Sequence, residues 1–356
     1  MDGVNKILAE EGVAAFAVSF VLVFIAGLLY MWQENASSAA AAAHASNASS
    51  SSSTSNAKDS KGDHKAGSGR WPFVYQTRLP NATGKEDPKN RSLCVLLIDP
   101  QNDFCDPKGS LFVPGADQDC AKFATAFKKM SAKVSDVFVT LDTHQKLHIA
   151  HALFWIHSQT NEHPKPFTRI TSEEVTETKV WKPVNPKHQE WAEFYVQELE
   201  RGGRFQLTIW PDHCLVGTVG HAVHPALTDA LSEWETQKNS TVNYVLKGNN
   251  QFTEHYSAIK ADVQVKDDAN TWMNIELVER LKSFDRIVVA GEAKSHCVNF
   301  TVRDLVEQMP DKTRGKVWVC KDACSSVPGF EEEGAKFEAE MKKLGVKFVK
   351  TSEAFL

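Results

Sequence analysis

Residues 93–98 read Leu-Cys-Val-Leu-Leu-Ile and run directly into Asp99-Pro-Gln-Asn-Asp-Phe104. A strand with one wet face alternates apolar and polar residues; this run does not alternate. It therefore reads as a strand covered on both faces, the pattern of a parallel sheet inside helical layers. Runs of the same kind recur at 134–141, 242–246, 286–290 (RIVVA), 316–320 and 346–349. Helix-period segments lie between them, at about 118–130, 224–236, 272–283, 297–309 and 330–344. In the one after RIVVA, Val298, Val302, Leu305, Val306 and Met309 fall at helical spacing. This alternation predicts a doubly wound α/β domain over 72–356, with a mostly parallel sheet of about six strands and helices on both faces. Residues 156–206 are polar, aromatic and Pro-containing, and read as an insertion carrying one helix near 186–200.

The rest of the chain is different material. Residues 13–32 (VAAFAVSFVLVFIAGLLYMW) carry no charge, and at ~1.5 Å per residue they match a hydrocarbon core of ~30 Å. Tyr30 and Trp32 stand at its end, where amphipathic rings favour the headgroup level. The flank 1–12 carries Asp2, Glu10 and Glu11 against Lys6, unlike the basic lead of a cleaved signal peptide. A retained transmembrane helix is expected. Residues 33–71 are dominated by Ser and Ala and lack the apolar area to offset chain ordering, so a disordered linker is expected. Lys58, Lys61, Lys65 and Arg70 favour a cytosolic position for the domain C-terminal to them. Six Asn-x-Ser/Thr sequons, at Asn35, Asn47, Asn81, Asn90, Asn239 and Asn299, point the other way, although Asn299 stands beside the candidate chemistry. The expectation is a single-pass membrane protein.

Across all 356 residues, 40 Lys+Arg face 45 Asp+Glu, a net charge of −5 that argues against a nucleic-acid partner. Seven cysteines, at 94, 105, 120, 214, 297, 320 and 324, are odd in number and lack CxxC spacing. They form neither a disulfide framework nor a thiolate zinc site. The sequence leaves open whether further copies of the chain join it as a homo-oligomer.

In an open parallel sheet, sites form outside the carboxyl ends of the strands. Asp99 follows the first run, Asp142 and His144 the second, Lys247 the third, and Cys297 the fourth across the loop AGEAKSHC. Each has a bland reading. Asp99 alone is a turn aspartate, Lys247 a solvated strand-end lysine, and Cys297 a small buried apolar residue. Cys297 also stands at a predicted helix start, where free amides and the helix dipole favour a thiolate. Asp142-Thr-His144, joined by His213 of TIWPDHC, makes a two-His, one-carboxylate set suited to Zn²⁺, Fe²⁺ or Mn²⁺ with open positions. His148 and His151 either add a ligand or line the loop.

These residues resemble the nicotinamidases, within the isochorismatase-like cysteine hydrolases. The resemblance runs in order through LLIDPQNDF ending at Phe104, DTHQKLHIAHALFW (142–155), IWPDHCLVGTVGHAVHP (209–225), VLKGNN (245–250) and GEAKSHCVNFTVRDL (291–305). It implies an Asp99–Lys247–Cys297 triad, metal ligands Asp142, His144 and His213, and His148 as a ligand in some members. It further implies that Phe104 and Trp210 sandwich a pyridine ring, and that the amides of Ala293 and Cys297 form an oxyanion hole beside a cis Glu292–Ala293 bond. One departure stands out: the family loop reads close to GVATDYC, against GEAKSHC here. The implied activity is hydrolysis of nicotinamide through a Cys297 thioester, with one divalent metal ion, Zn²⁺ foremost, orienting the substrate. Two alternatives remain: a related metal-assisted amidase for another small amide, and a non-catalytic tethered binding domain.

Overall fold

The computed structural model describes residues 92–356. The flank 1–12, the expected span 13–32, the linker 33–71, the proposed domain start at 72 and four of the sequons lie outside the described residues. Among the described residues no helix is long and apolar enough to cross a membrane.

The strands and helices predicted within the described residues are present. In chain order, β1 is Leu93–Ile98, α1 Asn102–Cys105, α2 Ala116–Met130 and β2 Asp136–Asp142. The inserted region contributes β3 (Trp155–His157), β4 (Arg169–Ile170), α3 (Ser172–Thr176), β5 (Trp181–Pro183), α4 (Gln189–Arg201) and β6 (Leu207–Thr208). Next come α5 (Pro225–Lys238), β7 (Asn243–Lys247), α6 (Ile275–Ser283), β8 (Arg286–Gly291) and α7 (Cys297–Glu307). The chain ends with β9 (Val317–Cys320), α8 (Glu331–Lys343), β10 (Lys347–Val349) and α9 (Thr351–Ala354).

Six strands form one parallel sheet in the order β10-β9-β8-β1-β2-β7. β1 and β2 are buried at every residue, so both sheet faces are covered, as the unbroken apolar runs required. The chain moves outward from β1 through β2 to β7, then returns to place β8 on the other side of β1. The reversal makes the β1/β8 boundary a topological switch point, where successive connections part and leave a crevice. Gly291 ends β8 opposite Ile98 at φ +114, and a Cβ there would stand 2.0 Å from the Ile98 carbonyl oxygen. Only glycine allows the two strands to meet so closely at the mouth of that crevice.

The insertion is more ordered than its sequence suggests. Besides the expected helix it has the short helix α3 and two antiparallel ladders, β3 with β5 and β4 with β6. Their short strands have too few residues to show a period, and Thr171 starts α3 by a capping box with Glu174. The end of the insertion is tied to the core by Arg204, which pairs with the buried carboxylates of Asp262, at 3.3 Å, and Asp304. Its guanidinium also lies 4.8 Å from the centre of the Phe300 ring.

Removing one partner from a buried ion-pair network leaves charge uncompensated. Arg204→Ala is expected to lower unfolding stability by about 3 kcal/mol, the scale of a broken buried pair. Equilibrium denaturation of the variant against the parent measures it; a loss under ~1 kcal/mol would show that Lys260, 3.5 Å from Asp304, suffices alone.

Candidate active site

Asp99 is the first residue beyond β1 and is held at φ +42, a conformation unusual for a residue other than glycine. Thr140 of β2 fixes it from both ends: its Oγ1 accepts from the Asp99 N–H at 3.0 Å and donates to Asp99 Oδ1 at 2.5 Å. Lys247 closes β7, paired in register with Asp142 at the end of β2. Its ammonium is fully buried, 2.8 Å from Asp99 Oδ2, 3.1 Å from Asp142 Oδ1 and 3.6 Å from Cys297 Sγ. Cys297 is the first residue of α7. The three residues read from separate strand ends therefore meet in one buried group.

The electrostatics are set by that burial. Desolvation would lower the Lys247 ammonium, but Asp142 and Asp99 outweigh it and hold it well above its ordinary value. Burial raises the Asp99 carboxyl, with Lys247 opposing. Burial also pushes the Cys297 thiol well above its ordinary value; Lys247 opposes this, while Asp99 and Asp142 add to it. Here the expectation from the helix start is corrected. Burial of the sulfur, with Asp99 and Asp142 adding to it, opposes what the helix start favours. The resting Cys297 is a thiol.

The backbone hydrogen bonds of the loop after β8 use the N–H groups of Glu292, Lys294, His296 and Val298. Among the described residues those of Ala293 and Cys297 have no backbone acceptor, and the Glu292–Ala293 bond is cis. Glu292, the departure from the family loop, is buried and accepts from the Ser325 N–H at 2.9 Å.

The imidazoles of His144, His148, His151 and His213 cluster together, with ring centres 4.3 to 5.3 Å apart where they meet. Asp142 Oδ2 lies 3.1 Å from His144 Nε2 and 3.5 Å from His213 Nε2. The His213 Nδ1–H donates to the Pro211 carbonyl at 2.8 Å, which fixes the ring with its Nε2 toward that carboxylate. His144, His151 and His213 offer ligand atoms within 4.8 Å of one another, and so do His144, His148 and Glu254. His144 Nδ1, His151 Nε2 and Glu254 Oε2 are buried, with no hydrogen-bond partner among the described residues. Buried lone pairs without a donor are costly, and a divalent cation is the partner that this N/O donor set suits. Both His148 nitrogens already meet backbone: Nδ1 accepts from Ala150 N–H, and Nε2 lies 3.1 Å from the Thr253 carbonyl oxygen. His151 is therefore better placed than His148 to add a ligand.

A narrow cleft leads to Cys297 between Phe104, Trp210, Tyr256, His296 and Val327. Trp210 is fixed by its Nε1–H, which donates to Tyr256 Oη at 2.9 Å. The free volume of about 30 Å³ suits a water molecule. An aromatic ring enters only if these walls part.

Sequence reasoning misses several supporting residues. Gln101 clamps the Asp142 backbone, accepting from its N–H and donating to its carbonyl, both at 2.7 Å. Asp103 Oδ2 accepts from Cys214 N–H at 2.6 Å, joining the DPQNDF and WPDHC loops. Both stand within DPQNDF, but nothing local says what they touch. Glu254, Tyr256 and His296 carry no periodic or spacing signal. Of the remaining sequons, Asn239 is exposed whereas Asn299 is buried against the Ser295 carbonyl.

No family model matches the chain. Among curated proteins, the nicotinamidase of Escherichia coli (strain K12) is 26% identical over 255 residues, covering 70% of this chain and 91% of the relative. The nicotinamidase of Acinetobacter baylyi is 23% identical over 240 residues, covering 67% and 84%. Among solved structures, an Acinetobacter baumanii nicotinamidase/pyrazinamidase matches with TM-score 0.50 and 21% identity, over 75% of this chain and 99% of that one. The yeast nicotinamidase bound to nicotinaldehyde matches with TM-score 0.50 and 19% identity, over 72% and 99%. In sequence over most of its length, and in its six-stranded parallel fold, this chain is similar to the nicotinamidases, in agreement with its motifs.

Proposed function

We propose that the chain is an amidohydrolase that converts nicotinamide to nicotinate and ammonia through a thioester on Cys297. The observation that carries this reading is the buried contact of Lys247 with Asp99 and Cys297 at the base of an aromatic cleft. A solvated lysine needs no such arrangement, and a binding domain gains nothing from a buried thiol beside a carboxylate with a raised pKa.

The resting thiol needs a base. Asp99 takes its proton as Sγ attacks the carboxamide carbon; the C–S bond forms and the carbonyl electron pair moves to oxygen. A base whose pKa burial has raised is better matched to that transfer near neutrality. The N–H groups of Ala293 and Cys297 receive the oxyanion, a contribution of roughly 10²–10³ in rate per donor. Asp99 then returns the proton to the amide nitrogen as the C–N bond breaks and ammonia leaves. Water adds to the thioester, again losing its proton to Asp99, and collapse releases the carboxylic acid and restores the thiol. Lys247 remains an ammonium throughout and offsets the negative charge on the group. Phe104 and Trp210 hold the substrate ring. Asp142, His144 and His213 would hold a divalent cation, Zn²⁺ foremost, with Fe²⁺ or Mn²⁺ suited to the same donors; when bound it would supply a positive centre for aligning the substrate ring.

The second reading, an amidase for another small amide, is favoured by the altered loop GEAKSHC, because its His296 lines the cleft. We propose further that residues 13–32 anchor the protein as a single-pass span, with the hydrolase domain on the cytosolic side.

Cys297→Ala is expected to lower ammonia release from nicotinamide by ~10⁴-fold or more while bound metal, counted by elemental analysis, is unchanged. Undiminished turnover would refute the thioester route. Stripping the metal with a chelator is expected to lower kcat/KM by ~10²-fold, restored by Zn²⁺, as loss of alignment requires. Activity unaffected by verified metal removal would exclude an aligning role. After alkaline carbonate extraction, the full chain is expected in the membrane pellet and a chain lacking 1–71 in the supernatant. Equal partition of the two would refute the anchor.

A further inference from the structure

The loop between β8 and Cys297 is strapped to the segment that follows β9. Gly291 N–H donates to the Ala323 carbonyl at 3.0 Å, Lys294 N–H to the Ser325 carbonyl at 2.7 Å, and Val327 N–H to Ser295 Oγ at 3.1 Å. One strap is made by a side chain. Glu292, where the family loop carries a small apolar residue, accepts from the Ser325 N–H through Oε2 at 2.9 Å. Residues 292 and 294 are thus both tied to Ser325, and Ala293 stands between them.

The Glu292 carboxyl is fully buried, and among the described residues no Lys or Arg pairs with it and its Oε1 meets no N–H or O–H donor. The group that stands against it is a second acid. Ser325, whose N–H goes to Glu292, donates its hydroxyl to Asp119 Oδ2 at 2.5 Å. Lys122 Nζ lies 3.6 Å from Asp119 Oδ1, so of the two acids Asp119 is the one whose charge is supported. The other ionisable groups against Glu292 are the thiols of Cys120 in α2, Cys105 in α1 and Cys324 beyond β9, and they bring no positive charge. Two carboxyl groups in one buried volume do not both ionise without a cation between them. Burial, and then Asp119, hold the Glu292 carboxyl well above its ordinary value. Its Oε1 therefore carries a proton, for which Asp119 is the acceptor. As a neutral acid Glu292 makes both bonds, accepting from Ser325 and donating to Asp119, without a buried charge.

We propose that Glu292 is a positioning residue of the reaction: as a neutral acid clamped between Ser325 and Asp119, it fixes the peptide that carries the Ala293 N–H. The proposal rests on the amidase reading, in which that N–H receives the oxyanion. Such a donor is effective because its position needs no reorganisation as charge develops on the substrate oxygen. The Glu292–Ala293 peptide is held on one side by the Glu292 side chain and on the other by the Lys294 N–H, and both bonds end on Ser325. Without the side-chain bond the loop keeps only its other straps, and the Ser325 N–H loses its acceptor.

The test compares Glu292→Gln and Glu292→Leu with the parent in the metal-loaded full chain. Gln keeps both bonds, offering a carbonyl to Ser325 and an N–H to Asp119, whereas Leu keeps the bulk and makes neither. With nicotinamide, kcat is expected to stay at the parent value in the Gln variant. In the Leu variant it is expected to fall by about 10²-fold with KM unchanged, the pattern of a donor that acts on the transition state alone. The infrared difference spectrum of the parent against the Gln variant at neutral pH is expected to show the C=O stretch of a protonated carboxyl. That measurement needs no turnover and decides the protonation even where the Leu variant fails to fold. A carboxylate band in its place, parent kcat in Leu, a change in KM alone, or an equal loss of kcat in both variants overturns the proposal. Absence of ammonia release by the parent sinks the amidase reading and this inference together. An active parent with any of the other adverse outcomes sinks the inference alone.

Discussion

A single buried ammonium holds the working edge of this sheet together. Lys247 reaches Asp99 beyond β1, Asp142 at the end of β2 and Cys297 at the start of α7. Desolvating an ammonium costs several kcal/mol unless close opposite charges compensate, and here two carboxylates do. Each carboxylate is in turn fixed by a neighbour: Asp99 by Thr140, and Asp142 by Gln101 on its backbone and His144 on its side chain. None of these charges could be buried in this form without the others. The same contact links the nucleophile to the imidazole cluster, because Asp142 faces both Lys247 and His213.

This arrangement depends on the chain reversing direction beside β1. Had β8 been added beyond β7, the loop carrying Cys297 would have ended far from Asp99. The parallel register instead sets Ile98 against Gly291 and Asp142 against Lys247, bringing four chain segments to one crevice. The inserted region completes it. Phe205 stacks on His296, while Arg204 binds that end of the insertion to two buried carboxylates of the core. A segment that reads in sequence as an insertion thus supplies one wall behind the cleft.

The strands are legible in the sequence because both-face burial removes polar residues from them, a signal that needs no partner to be seen. α7 is legible because Val298, Val302 and Leu305 keep helical spacing. Asp99, Lys247 and Cys297 are legible by position, since strand ends are where an open sheet collects its chemistry. The short ladders of the insertion are not, for a strand of two or three residues has no period to detect. The sequence misleads on the protonation state of Cys297, because a helix start is a local feature whereas desolvation depends on everything packed around the sulfur. The surroundings of Glu254 and His296 stay hidden for a related reason. A lone polar residue in a loop looks the same in sequence whether it faces water or a buried cavity.

The sequence by itself determined the α/β class, the strand and helix order, and the residue types available at each strand end. These depend on hydrophobic period and chain order, which are local properties. The tertiary structure decided which of those residues share one buried volume, which charges compensate one another, and which histidine nitrogens keep free lone pairs. Those are matters of distance and solvent exclusion across segments as far apart as Asp99 and Cys297, and no local pattern encodes them.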